Sequence, residues 1–339
     1  MKRLVAILVA TGLVAAACGV IPGTGSGLKV GMVTDIGKLE DKSFNEFSWL
    51  GVQDGAKAVG GAAQVIVTRD IADYKQNIQT FIDQKYDIIV TVGFLIGTDT
   101  LAAAQANPTV QFFGVDQFIC VAADANDKAC KGAVPANYGS ILFDEAQAGY
   151  LAGIVAGTIT KSGKIGAVGG RSDVPPVVAY IKGYENGAKS VKSNVTVTAT
   201  YAEDFNAPDK GEAIAKTMIG NGIDVVFQVA GATGAGALRA ACNAKIYGIG
   251  VDVDQYLSLP ATKDCTITSA EKKLQIGTRD AIQRFKDKGK QSGNFFYSAA
   301  NGGVGLSPIR NLSPIPAGLE DKIKQAEAAM KSGTLKPIP

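Results

Sequence analysis

Residues 51–59 read GVQDGAKAV, and residues 183–191 read GYENGAKSV. Five of the nine positions are identical, at an offset of 132 residues. Three further blocks keep nearly the same spacing: LKVGMVTD (28–35) with GKIGAVGG (163–170), YDIIVTVGF (86–94) with IDVVFQVAG (223–231), and GVD (114–116) with GVD (250–252). Chance supplies one such match, not four in order. The chain therefore carries its own architecture twice.

Each copy alternates short apolar strands with helical stretches, the pattern of an α/β protein with a parallel sheet covered by helices on both faces. Two such lobes side by side leave a cleft between them. In open α/β sheets ligands sit beyond the carboxyl ends of the strands. Here those ends are Thr34–Asp35, Gly93–Phe94, Val115–Asp116, Gly169–Gly170, Ala230–Gly231 and Val251–Asp252. Asp35 and Asp116 in one lobe and Asp252 in the other give acceptors for a diol or an N–H pair. The stretch DKSFNEFSWLGV (41–52) follows the first tip and holds two phenylalanines and the only tryptophan of a chain that is 7% aromatic. These rings are placed to overhang the cleft as a stacking surface. Phe44, just before the helix, is the ligand candidate; Phe47 reads as core, and Trp49 as core or rim. Rings plus acids suit a flat heterocycle carrying a polyol, or a sugar alone.

Composition narrows the chemistry. The 339 residues suffice for two domains, and 46% hydrophobic content against 19% charged allows full cores. The net charge of +3, with no run of three basic residues, disfavours a nucleic-acid surface. There is no histidine, which removes Ser-His-Asp and Cys-His catalysis and most catalytic zinc sites. GATGAG (231–236) lacks the GxGxxG spacing, and no GxxxxGK[ST] occurs. In VDVDQ (251–255) two carboxylates two residues apart share a face on a strand, but a third acid for calcium is missing, so no metal site is expected.

The first residues, MKRLVAILVATGLVAAACG, join a basic pair to an apolar run too short for a membrane span, the pattern of a secretion signal. LVAAAC resembles a bacterial lipobox, with cleavage before Cys18 and lipid on its thiol. GVIPGTGSG then reads as a flexible tether, and the mature net charge becomes +1 with Lys2 and Arg3 removed. The expected location is the extracytoplasmic face of the cell membrane. The remaining cysteines, Cys120, Cys130, Cys242 and Cys265, are even in number, as export allows. Local loop closure favours Cys120–Cys130 and Cys242–Cys265, with four free thiols as the other reading.

At these residues the chain resembles the basic membrane protein family, lipoprotein receptors that feed purine nucleosides to ABC importers. The matching pieces are DKSFNEFSWLG (41–51), EAQAGYLAG (145–153), GKIGAVGG (163–170), VVFQVAGATGAG (225–236), GVDVDQ (250–255), TSAEKKL (268–274) and NGGVGLSP (301–308). The resemblance implies a type I periplasmic-binding-protein fold: two doubly wound parallel-sheet lobes, three crossovers and a hinge. It divides the chain into a signal peptide (1–17), a tether (18–27), one lobe (28–136 with about 266–292) and the other (137–265 with about 293–339). It implies Asp35 and Asp116 as the acids that read the base, and Phe44 and Phe227 as the rings that sandwich it. Asn45 is a polar neighbour. Gly231, Asp252 and Lys272 contact the ribose, with Lys273 the alternative to Lys272. The implied partners are a purine nucleoside, with guanosine or inosine favoured, and an ABC permease, for a lipid-anchored monomer without a cofactor. A sugar or autoinducer receptor of the same fold and a surface nucleoside hydrolase are the competing functions.

Overall fold

The computed structural model describes residues 27–118 and 134–338. Cys18, Cys120 and Cys130, the signal and most of the tether lie outside the described residues. The first half runs β1 (Lys29–Val33), α1 (Phe44–Ala58), β2 (Ala62–Ile66), α2 (Tyr74–Asp83), β3 (Ile88–Val92), α3 (Gly97–Ala106), β4 (Gln111–Val115), β5 (Tyr138–Phe143) and α4 (Glu145–Ile159). The second repeats it as β6 (Lys164–Gly169), α5 (Pro175–Val191), β7 (Thr196–Tyr201), α6 (Pro208–Gly220), β8 (Val225–Val229), α7 (Gly231–Asn243), β9 (Tyr247–Asp252), a short α8 (Gln255–Ser258), β10 (Thr266–Lys272) and α9 (Leu274–Lys288). The chain closes with β11 (Gly293–Tyr297), β12 (Val304–Leu306) and α10 (Leu319–Lys331).

The strands form two sheets, ordered β11-β5-β4-β3-β1-β2 and β12-β10-β9-β8-β6-β7. All pairs are parallel except β10 with β12. Central strands such as IIVTV and VVFQV are buried along their whole length, as a sheet covered on both faces requires. The edge strands β2 and β7 are partly exposed. This is the expected fold class.

Strand pairing moves the lobe boundaries. The expected breaks after 136, 265 and 292 each fall one strand too early. β5 pairs with β4 and stays in the first lobe, β10 pairs with β9 in the second, and β11 returns to β5 in the first. The chain crosses between lobes after each half's last strand, through α4, α9 and the segment between β11 and β12. A crossover helix thus packs on the lobe its preceding strand does not belong to.

That exchange explains the repeated motif. Both copies carry glycines four residues apart, Gly51 and Gly55 on α1 and Gly183 and Gly187 on α5. α9 lies on the first pair and α4 on the second. A Cβ added at Gly51 would stand 1.9 Å from Thr278 Oγ1, and one at Gly187 would stand 1.9 Å from the Tyr150 carbonyl oxygen. α4 answers with Gly149 and Gly153, whose added Cβ atoms would each lie 2.1 Å from backbone oxygens of α5. The helices touch backbone to backbone, so nothing short of displacement makes room for a methyl. Gly187→Ala is expected to lower stability by about 1–3 kcal/mol through overpacking, read as a lower urea midpoint with an unchanged slope. An unchanged midpoint would show that the contact is not tight.

Candidate functional site

The carboxyl ends of both sheets face a shared cleft lined by residues of both lobes. Asp35, Phe44, Asn45, Asp116, Gly231, Asp252 and Lys272 all line it. The repeated GVD tripeptides supply equivalent groups from the two lobes. Asp116 and Asp252 both adopt left-handed backbone, at φ 59° and 66°, a region non-glycine residues seldom occupy. The conformation turns both carboxylates inward at the end of their strands.

Lys272 is the cation of the cleft's centre and is buried, at 3% exposure. Its Nζ lies 2.5 Å from Asp116 Oδ2, 3.4 Å from Glu145 Oε1 and 3.7 Å from Asp252 Oδ1. It also stands 4.6 Å from the centroid of the Phe44 ring, within cation–π range. Burial by itself would discharge the ammonium, but Asp116, Asp252 and Glu145 override it and hold its pKa above the ordinary lysine value. Burial, and then the charge of Asp116, push Glu145 upward against the pull of Lys272. Burial likewise raises Asp252. Lys273, the other candidate, turns away and pairs with Glu271 at 2.6 Å.

Polar contacts join the lobes here, since Asp116 follows β4 while Asp252 and Lys272 end β9 and β10. Lys272 reaches Asp116, and the Ser43 hydroxyl donates to Asp252 Oδ2 at 2.6 Å. Ser43 and Glu46 have the spacing of a helix capping box, yet Ser43 is committed across the cleft. Asp41 caps α1 instead, its carboxylate accepting from the backbone N–H groups of Ser43, Asn45 and Glu46 at 2.9, 2.9 and 3.2 Å. Burial outweighs these bonds and pushes Asp41 up to about 7.

Asp35 is held by its surroundings. Its N–H donates to Asn45 Oδ1, and the Asn45 amide donates in turn to the Lys38 carbonyl. Its Oδ1 accepts from the Ile36 N–H at 2.8 Å and the Tyr74 hydroxyl at 2.5 Å. Burial, partly offset by those donors, pushes its carboxyl up to about 6. At neutral pH it is therefore mostly ionised. Asp116 Oδ1 is buried and has no hydrogen-bond partner, an uncommon condition for a carboxylate oxygen that suits it to accept from a ligand.

The expected ring Phe227 is not in the cleft. It sits mid-strand in β8, opposite Ala167 and Ile249, is fully buried, and packs against Tyr180 and Tyr184. Two residues further on, Val229 reaches the lining; Phe227 faces the same side but lies too deep in the sheet. The second lobe brings Phe205, in the loop between β7 and α6, half-buried and lining the cleft together with Tyr180. Its loop is clamped to α7 by Thr233. The Thr233 N–H donates to the Phe205 carbonyl, while its hydroxyl donates to the Asp204 carbonyl and accepts from the Ala207 N–H. Gly170 lies under the ring, where an added Cβ would come within 2.1 Å of it. The signal for Phe205 was a phenylalanine in the polar run EDFN just past an edge strand. Tyr180, Asp41, Ser43 and Glu145 also escaped sequence reading. Phe47 and Trp49 pack on the main core.

Asp252 and Asp254 do not share a site. Asp254 forms a two-pronged ion pair with Arg310 at 2.9 and 2.8 Å. Cys242 and Cys265 are joined in a disulfide, with Cα atoms 5.0 Å apart. Among the described residues no helix is long and apolar enough to cross a membrane.

The family model for Bmp, described as ABC transporter substrate-binding protein PnrA-like, matches residues 28–336. The chain belongs to the Bmp family. Among Bmp relatives, the ABC transporter nucleoside-binding protein BmpA of Lactococcus lactis is 34% identical over 91% of this chain and 88% of its own. The CD4+ T-cell-stimulating antigen of Listeria monocytogenes is 32% identical over 89% of this chain and 88% of its own. Basic membrane protein A of Borreliella burgdorferi is 28% identical over 95% and 91%. Among solved structures, an ABC transporter solute-binding protein from Aeropyrum pernix superposes with a TM-score of 0.79 at 24% identity, covering 91% of this chain and 92% of its own. At that identity the likeness shows the fold, two parallel-sheet lobes of the solute-binding type. The chain is thus a substrate-binding protein of an ABC transporter system.

Proposed function

We propose that this chain is a lipid-anchored, extracytoplasmic receptor that captures a purine nucleoside between its lobes and delivers it unchanged to an ABC permease. The observation that carries the reading is the lining of the cleft, with aromatic rings from both lobes beside carboxylates from both. The base stacks between Phe44 and Phe205, with Asp35 and Asp116 at its edge. The ribose hydroxyls meet Asp252, Lys272 and the backbone at Gly231. The Lactococcus relative's name as a nucleoside-binding protein agrees with this, and the lipobox-like LVAAAC with Cys18 motivates the anchor.

An ionised Asp35 accepts from the N1–H that guanine and hypoxanthine share, whereas adenine presents an acceptor at N1 that the carboxylate repels. Guanosine and inosine are therefore expected to bind better than adenosine. A site built to bond hydroxyls rejects analogues that lack them, so 2′-deoxyguanosine is expected to bind worse, and Asp252→Ala to remove that discrimination. A thermal-shift panel of nucleosides, free bases and ribose tests the reading, since a ligand at a hundred times its Kd stabilises by roughly 2.7 kcal/mol. A shift given by ribose or another sugar but by no nucleoside would overturn it, and release of free ribose from inosine would identify a hydrolase instead.

A further inference from the structure

We propose that Tyr74, outside the cleft, is the positioning residue that sets which purine edge the site accepts, by holding Asp35 as a one-oxygen acceptor. This rests on the nucleoside reading above and deepens it.

Tyr74 opens α2 and is fully buried among Val33, Ile78 and Phe81. It is not itself part of the cleft lining. A phenylalanine would fill that core equally well, so the hydroxyl calls for another reason. The hydroxyl donates to Asp35 Oδ1 at 2.5 Å, the oxygen that also accepts from the Ile36 N–H. Burial and the neighbouring carboxylate hold the Tyr74 pKa far above the ordinary tyrosine value, so this hydroxyl acts as a donor. With Oδ1 doubly occupied, Oδ2 is the oxygen left for a ligand. Oδ2 rests against Gly93, where an added Cβ would stand 2.1 Å away, and Gly93 itself adopts φ +99°. The carboxylate is thus pinned on both sides, bonded on one and closely backed on the other.

The second consequence is electrostatic. The Tyr74 bond favours the charged carboxylate, while burial and Asp116 oppose it and Arg171, across the cleft after β6, assists weakly. Lys38 and Asp41 from the same loop complete the charged groups lining the cleft near it. An ionised Asp35 selects the guanine edge, and a protonated one donates to adenine N1. Tyr74 therefore biases the choice between two purines without touching either.

The test is calorimetric titration of guanosine and adenosine into the wild type, Tyr74→Phe and Asp35→Asn across pH 5 to 8.5. In the wild type the guanosine preference should rise as pH passes through about 6, where Asp35 ionises. In Tyr74→Phe the lost donor should move that rise up by about one pH unit, so that at pH 6.5 the preference falls by up to about tenfold, while the guanosine affinity itself changes little at pH 8.5. Asp35→Asn should show no pH-dependent preference. A Tyr74→Phe profile superimposed on the wild type, with only a lower melting temperature, would reduce Tyr74 to core packing and overturn the proposal. Failure of the wild type to bind any nucleoside would instead bring down the reading on which it rests.

Discussion

Lys272→Met is expected to destabilise the protein by about 3–5 kcal/mol at pH 8, the ordinary cost of leaving buried charges without their partner. Lys272 faces Asp116, Glu145 and Asp252 within 3.7 Å, and no other cation stands among them in the described residues. Without it Glu145 and Asp252 remain buried without their cation, so their folded pKa values, already raised by burial, rise further above the unfolded ones. The sign of the pH dependence follows. A carboxyl with a raised folded pKa binds its proton more tightly in the folded state, so its stabilisation is present in acid and is lost as pH rises through the folded value. The variant should therefore regain stability as pH falls from 8 toward 5, more steeply than the wild type. Urea unfolding at several pH values measures this, and curves that stay parallel to the wild type would refute the picture of a charge-balanced cluster. Nucleoside binding should fall together with stability at high pH, because Lys272 also links Asp116 to the opposite lobe.

Phe205→Ala is expected to weaken binding of the proposed nucleoside by about 1–3 kcal/mol, the worth of stacking one base on one ring, or roughly 5- to 150-fold in Kd. Its melting temperature without ligand should change little, since the ring is half-buried in a loop. Phe227→Ala should do the reverse. The side chain is fully buried between Tyr180 and Tyr184, and its removal leaves a cavity costing about 3–5 kcal/mol, with affinity following only as far as the fold loosens. Calorimetry and thermal melting on both variants separate the roles. Loss of affinity confined to Phe227→Ala would show that Phe205 lines the cleft without serving it.

The contrast between these two phenylalanines marks how far the site was legible. Asp35, Asp116 and Asp252 stand at the ends of apolar runs, and a strand end in a parallel sheet is a predictable place. Lys272 lies at the end of the run TITSAEK, and the structure brings it to the same cleft. Phe227 also lies in such a run, but in its middle, where both faces of a central strand are covered. Its neighbourhood in sequence is that of a ligand contact, and its depth in the sheet is that of a core residue. Phe205 follows a half-exposed edge strand whose alternation is a weak signal, so its loop went unread. Glu145 and Tyr74 left no local mark, because what matters about each is a single atom brought beside Lys272 or Asp35 from more than thirty-five residues away.

By itself the sequence determined the duplication, the α/β class, the two lobes and the acids at their strand tips. Those follow from periodicity and spacing along one chain, where each residue's burial depends mainly on its neighbours. Tertiary structure alone decided that β5, β10 and β11 stay with the lobe before each crossover, that Phe205 and not Phe227 faces the cleft, and that Asp35 offers one free oxygen. Each of these depends on which strand lies beside which, and pairing between distant segments is settled by backbone hydrogen bonds and close helix contacts that no local pattern records.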